Sequence, residues 1–147
     1  MRLTVRTNLA MRTLMHCAVN EGQVVRKQEV AKSCDASENH LAQVIHKLAQ
    51  AGFITTVRGR SGGLKLSRPP ASIRVGEVVR CFEASVPFTQ CMETDPLAAA
   101  NCPLVDACRL KFAFGTALEA FYASLDRLTL VDLIKDNSGL RRMLTVA

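Results

Sequence analysis

The stretch 26–66, RKQEVAKSCDASENHLAQVIHKLAQAGFITTVRGRSGGLKL, decides the fold. Val30 and Ala31 mark the inward side of a short helix over 26–33. Ser37 is a good N-cap, and Leu41, Val44, Ile45 and Leu48 then recur at helical spacing to about Ala51, with Gly52 as the stop. Between the two helices stands Asp35, a residue type that tolerates left-handed backbone better than most. A β-prone run follows at 53–57, then a glycine-rich, doubly basic tip at 58–63. Leu64, Lys65, Leu66 and Ser67 alternate as a half-buried strand does. Pro69 and Pro70 end the hairpin. Helix, turn, helix and basic hairpin are the parts of a winged helix-turn-helix.

Outward from this stretch the chain is mostly helical. Val5, Leu9, Met11, Leu14, Met15, Ala18 and Val19 predict a helix over 5–20, stopped by Asn20, Glu21 and Gly22. Ile73, Val75, Val78, Val79 and Phe82 predict another over 73–83. The pattern dissolves between 84 and 103. A long helix is then expected from about Leu104 to Leu125 or Leu128. Its apolar residues, among them Leu110, Phe112, Phe114, Leu118, Phe121 and Tyr122, spread too widely for one stripe. Such breadth fits a helix packed on two sides, as when two subunits share it. A short helix over 130–136 and a mobile-looking tail complete the expectation. The fold class is mainly α with a small β-hairpin. The divisions are a DNA-binding part at 1–83, a cysteine-bearing loop at 84–108, a dimerisation helix at 104–128 and a C-terminal helix and tail at 129–147.

Charge separates the halves. Residues 1–80 hold 13 Lys/Arg against 5 Asp/Glu, whereas 81–147 hold 6 against 8. The first half is thus at +8 and the second at −2, which points to a polyanion partner for the first half, with a merely solvated basic surface as the alternative. With no Trp and one Tyr, an aromatic base-stacking surface is not expected. Arg2, Arg6, Arg12 and His16 interrupt the first 19 residues, so no secretory signal is read. No apolar run is long enough to cross a bilayer. The expected compartment is the cytoplasm, without membrane attachment.

The second helix of the pair would enter the major groove, where each base pair shows a distinct pattern of donors and acceptors. Ser37, Asn39, His40 and Gln43 are its outward hydrogen-bonding residues, and Lys47 suits a phosphate. Glu38 has three readings: acceptor from cytosine, helix cap, or repeller of phosphate. Arg58 and Arg60 sit on the hairpin tip, placed for a minor groove or for phosphates. Gly62 and Gly63 permit close backbone approach and positive φ. A solvated polar face stands as the alternative for any one of the helix residues. No phosphate-cradling loop, nucleophile–base pair or metal-hydrolase spacing is present, so the chain is not read as an enzyme.

Six cysteines occur, at 17, 34, 81, 91, 102 and 108. Cys91, Cys102 and Cys108 share one loop and the start of the next helix. Thiolates are the usual ligands of iron–sulfur clusters and thiophilic metals, and with no C-x-x-C pair a zinc ribbon is excluded. Three cysteines leave one coordination position for a non-cysteine ligand, open to small molecules as a sensor requires. Free thiols or a thiol–disulfide switch is the alternative. Cys17, Cys34 and Cys81 lie on apolar faces and read as core thiols. His16 reads as a helix-surface residue.

These residues also carry a resemblance. It rests on Met1-Arg2-Leu3-Thr4, Ser37-x-Asn39-His40-Leu41, Ala51-Gly52-Phe53-Ile54, Val57-Arg58-Gly59-Arg60-x-Gly62-Gly63-x-x-Leu66, Ile73-x-Val75-Gly76-Glu77-Val78-Val79, Cys102-x-x-x-x-Ala107-Cys108-Arg109-Leu110-Lys111 and Thr129-Leu130-x-Asp132-Leu133. Nearly end to end, the chain resembles the winged-helix iron–sulfur transcriptional repressors, the family of NsrR, IscR and RirA, and within it the nitric-oxide-sensing branch. The resemblance implies a homodimer with crossed long helices, gripping a double-stranded DNA operator with Thr4 among the contacts. It implies a cluster on Cys91, Cys102 and Cys108, of 4Fe–4S type ahead of 2Fe–2S, and nitric oxide as the signal. Sensing of iron or cluster supply on the same scaffold, or a cluster-free thiol switch, is the alternative. Two departures stand out. Asn8 occupies a position where the nitric-oxide-sensing branch holds an aspartate ligand, leaving the fourth site to water, a small thiol or a nearby carboxylate such as Glu93, Asp95 or Asp106. The Cys91–Cys102 gap is also long, with 97–100 reading as an insertion.

Overall fold

The structure, a computed structural model, describes residues 3–92, 102–104 and 107–146. Helix α1 (Val5–Val19) is capped by Thr4, whose Oγ1 accepts from the Thr7 amide. Helices α2 (Lys27–Cys34) and α3 (Glu38–Gln50) follow. Asp35, at φ 49, makes the left-handed turn between them. Ser37 caps α3 by accepting from the His40 amide at 3.3 Å. Gly52, at φ 75, takes the chain out of the helix in a conformation that costs a glycine little.

Strands β1 (Ile54–Val57) and β2 (Gly63–Leu66) pair antiparallel, Ile54 opposite Leu66 and Val57 opposite Gly63. A two-stranded ribbon alone is marginal in water. Here it is tied to the helical body by Val25, which exchanges backbone hydrogen bonds of 2.9 and 2.7 Å with Leu64. The glycines have separate tasks. A Cβ on Gly63 would lie 2.3 Å from the Val25 oxygen, and one on Gly62 2.4 Å from the Val57 oxygen. Close approach therefore explains both. Positive φ belongs to Gly59 instead, at 106.

Helix α4 (Val75–Glu83), the short turn Gln90–Met92, α5 (Leu110–Leu125), α6 (Leu130–Ile134) and α7 (Ser138–Leu144) complete the chain. The fold class is the expected one, a mainly helical winged helix-turn-helix with one small hairpin. The long helix is shorter than expected: one turn closes on the Leu104 carbonyl through the Ala107 and Cys108 amides, and α5 starts only at Leu110. The expected insertion at 97–100 lies outside the described residues.

The core gathers Leu9, Leu14, Val30, Leu41, Leu48 and Ile54 with Leu64, Ile73, Val78, Leu130 and Ile134. Burial of each such side chain stabilises by roughly 1.5–3 kcal/mol. The chain end joins this core. Asn20, itself buried, donates to the Leu144 carbonyl at 2.7 Å and accepts from the Val146 amide at 2.9 Å, and Leu144 is buried. The tail is thus clasped onto α1 rather than loose. The same packing overturns the surface reading of His16: the ring is 3% exposed, with Nδ1 3.0 Å from Ser33 Oγ.

Candidate nucleic-acid interface and cysteine site

Helix α3 buries Leu41, Val44, Ile45 and Leu48 and turns Ser37, Asn39 and Gln43 outward, with His40 half-buried at its start. That division follows from the 3.6-residue period: residues three and four apart share a face. Glu38 is paired, its Oε2 2.7 Å from Lys27 Nζ across the turn, so its charge is offset locally. Lys47 does not stand free. It is half-buried, with Nζ 5.0 Å from the Phe82 ring centre. Arg58 and Arg60 are exposed on the hairpin tip, Gly62 is half-buried beneath them, and Arg26 joins Arg60 in lining the cleft between tip and α2.

Thr4 has its polar groups engaged within the chain. Its amide and Oγ1 donate to Glu83 Oε1 at 2.8 and 2.9 Å, and Thr7 Oγ1 donates to the same oxygen. Burial pushes the Glu83 carboxyl up, but the hydrogen bonds from Thr7 and Thr4, with Lys47 nearby, outweigh it and hold the pKa below the ordinary value. The first turn of α1 is thereby anchored to the end of α4, just before the cysteine loop. Sequence reasoning missed this link, because Thr4 and Glu83 are 79 residues apart. Asn8 is exposed and lines a groove of about 490 Å³ with Arg12, Asp35, Ser37 and His40.

All six cysteines are free. Cys17 and Cys34 are buried, as expected; burial pushes the Cys17 thiol up to about 12 and the Cys34 thiol above its ordinary value. Cys81 is half-buried against the core. Cys91, Cys102 and Cys108 are half-buried, and Thr89 Oγ1 lies 3.2 Å from Cys91 Sγ. As a donor set these three suit a thiolate-ligated cluster: soft sulfurs reachable from solvent, outside the closed core. Yet among the described residues no group of three or more His, Cys, Asp or Glu side chains is gathered closely enough to hold a metal ion. The three thiols are therefore not pre-assembled in the single chain. Glu93, Asp95 and Asp106 lie outside the described residues. No helix among those described is long and apolar enough to cross a membrane.

Comparison with known proteins agrees with this geometry. Residues 3–136 match the Rrf2 family, described as iron-dependent transcriptional regulators. The chain is 42% identical to protein aau3 of Rhizobium meliloti (strain 1021) over 135 residues, 92% of this chain and 86% of that one. It is 38% identical to the HTH-type transcriptional regulator NsrR of Geobacillus kaustophilus (strain HTA426) over 145 residues, 98% of this chain and 97% of that one. Among solved structures, IscR of T. potens superposes with a TM-score of 0.69 at 25% identity, covering 95% of this chain and 90% of that one. Members of this group bind DNA and regulate transcription; they are not enzymes. The chain belongs to the Rrf2 family of transcriptional regulators.

Proposed function

We propose that this regulator is a homodimeric repressor whose hold on a double-stranded operator depends on an iron–sulfur cluster at Cys91, Cys102 and Cys108, with nitric oxide as the signal. The observation that carries the reading is the joining of a basic reading head to three solvent-reachable thiols in a chain 38% identical to NsrR across almost its whole length. In this reading α3 enters the major groove with Ser37, Asn39, His40 and Gln43, while Arg58, Arg60 and the backbone at Gly62 reach the flanking groove or phosphates. Lys47, seated on Phe82, and Thr4, bonded to Glu83, complete the set of DNA contacts in this reading.

A 4Fe–4S cluster, preferred over 2Fe–2S, would supply thiolate-bound iron open to nitric oxide. This chain's part is to present the thiols. The Thr89 hydroxyl orients Cys91, and the turn closed on Leu104 sets Cys108 just before α5. Asn8, neutral and a weak iron ligand, leaves the fourth position to water, a small thiol or a carboxylate. The dimer reading rests on α5, which among the described residues buries only Tyr122 and leaves Leu110 and Phe112 exposed.

Native mass spectrometry and an ultraviolet–visible spectrum of anaerobically purified protein test the cofactor. The reading predicts cluster mass on each subunit and its loss in Cys91→Ala, Cys102→Ala and Cys108→Ala. Colourless protein that resists reconstitution would move sensing to thiol chemistry. The family's description as iron-dependent favours a second reading, control by iron or cluster supply. Target genes that respond to iron starvation and ignore nitric oxide would select it.

A further inference from the structure

Gln43 has a partner that ordinary base reading does not require. Arg6, from the first turn of α1, donates through Nη2 to Gln43 Oε1 at 3.1 Å. Resting on the placement of α3 in the major groove, we infer that Arg6 is a specificity-determining residue: it turns Gln43 into a donor and sets a preference for guanine at the base pair that Gln43 faces.

The argument is one of donor and acceptor count. A free glutamine offers one acceptor and one donor edge, which matches the N7 acceptor and N6 amino donor of adenine. Here the acceptor edge faces the Arg6 guanidinium, a group with five N–H donors and no acceptor. The Gln43 Nε2 hydrogens remain for DNA, beside a fixed positive charge. The pair therefore presents donors only. Guanine, with N7 and O6 both acceptors, complements it; the amino groups of adenine and cytosine oppose it.

Both side chains are exposed, so burial does not fix them. Their backbones are nonetheless held on each side. Thr4 and Thr7 bracket Arg6 and are both bonded to Glu83. Leu41 and Val44 bracket Gln43 and are both buried. The pair hangs between two rigid turns at a sequence separation of 37. An exposed bond of this kind contributes little to stability, so the substitutions leave the fold intact.

The test is selection of binding sites from a randomised operator library by full-length, anaerobically purified protein. Wild type is expected to select guanine at one position per half-site, and Gln43→Ala to erase that preference alone. Arg6→Met, which keeps length and removes the donors, should shift the position toward adenine, the guanine-to-adenine affinity ratio falling about tenfold. Arg6→Lys, which keeps a charge and a donor, should retain guanine. Guanine preference unchanged in Arg6→Met would overturn the inference while leaving α3 as the reading helix. If wild type selects no sequence at all, the reading of α3 itself fails, and the inference with it.

Discussion

The two halves of this molecule satisfy their apolar residues in opposite ways. In the reading head, α1, α3 and the hairpin send Leu14, Leu48 and Ile54 into one closed core, each at most 2% exposed. Among the described residues α5 buries Tyr122 alone, and Phe112 stays 75% exposed. The reading head closes its core with the help of Leu130 and Ile134 from the chain end, whereas α5 keeps an apolar face that the described residues leave uncovered.

The strongest challenge to that contrast is a pair of truncations. Leu48→Ala should cost about 2–5 kcal/mol in urea unfolding, because it opens a cavity in a core that cannot collapse. Phe112→Ala should leave the stability of the isolated subunit within about 0.5 kcal/mol, yet shift sedimentation toward monomer. Equal effects from the two would erase the distinction. The hairpin sharpens it next: Gly63→Ala should cost about 1–3 kcal/mol, because the new methyl meets the Val25 carbonyl. At the helix start, Ser37→Ala should cost about 1 kcal/mol through loss of the α3 cap.

Smaller effects test the electrostatics. Arg58→Ala should weaken binding to all DNA sequences alike and lower the salt slope of log K by about one, if this side chain meets a phosphate. A change confined to certain sequences would place it in a groove instead. His16 offers a pH test. Burial lowers its pKa below the ordinary 6.5, against an opposing pull from Glu29. As pH falls through 6.5 the unfolded chain takes up this proton first, so stability is full above 6.5 and declines below it, levelling once the folded ring also protonates. Urea midpoints at pH 7.5 and 5.5 should differ in wild type more than in His16→Leu.

Local chemistry made much of this legible. The α3 cap at Ser37, the left-handed Asp35, the exit at Gly52 and the hairpin after it are each decided by a few adjacent residues and stand as read, except that the positive φ of the tip falls on Gly59. What escaped the reading depends on distant partners. His16 looks like a surface residue until Ser33 of α2 meets its ring. Glu83 shows nothing in sequence of the convergence of Thr4 and Thr7 on its carboxylate, and Lys47 nothing of the Phe82 ring beneath its ammonium. The cysteine segment is legible only as chemistry. Its three thiols suit a cluster, but nothing local dictates how they come together.

The most direct test of the central claim, that Cys91, Cys102 and Cys108 govern the reading head, is operator affinity before and after exposure to nitric oxide. It can be followed by fluorescence anisotropy on anaerobically purified protein and on Cys102→Ala. The account predicts tight binding that nitric oxide abolishes in wild type, and weak binding that nitric oxide does not alter in the variant. Binding of equal strength in all four conditions would contradict it.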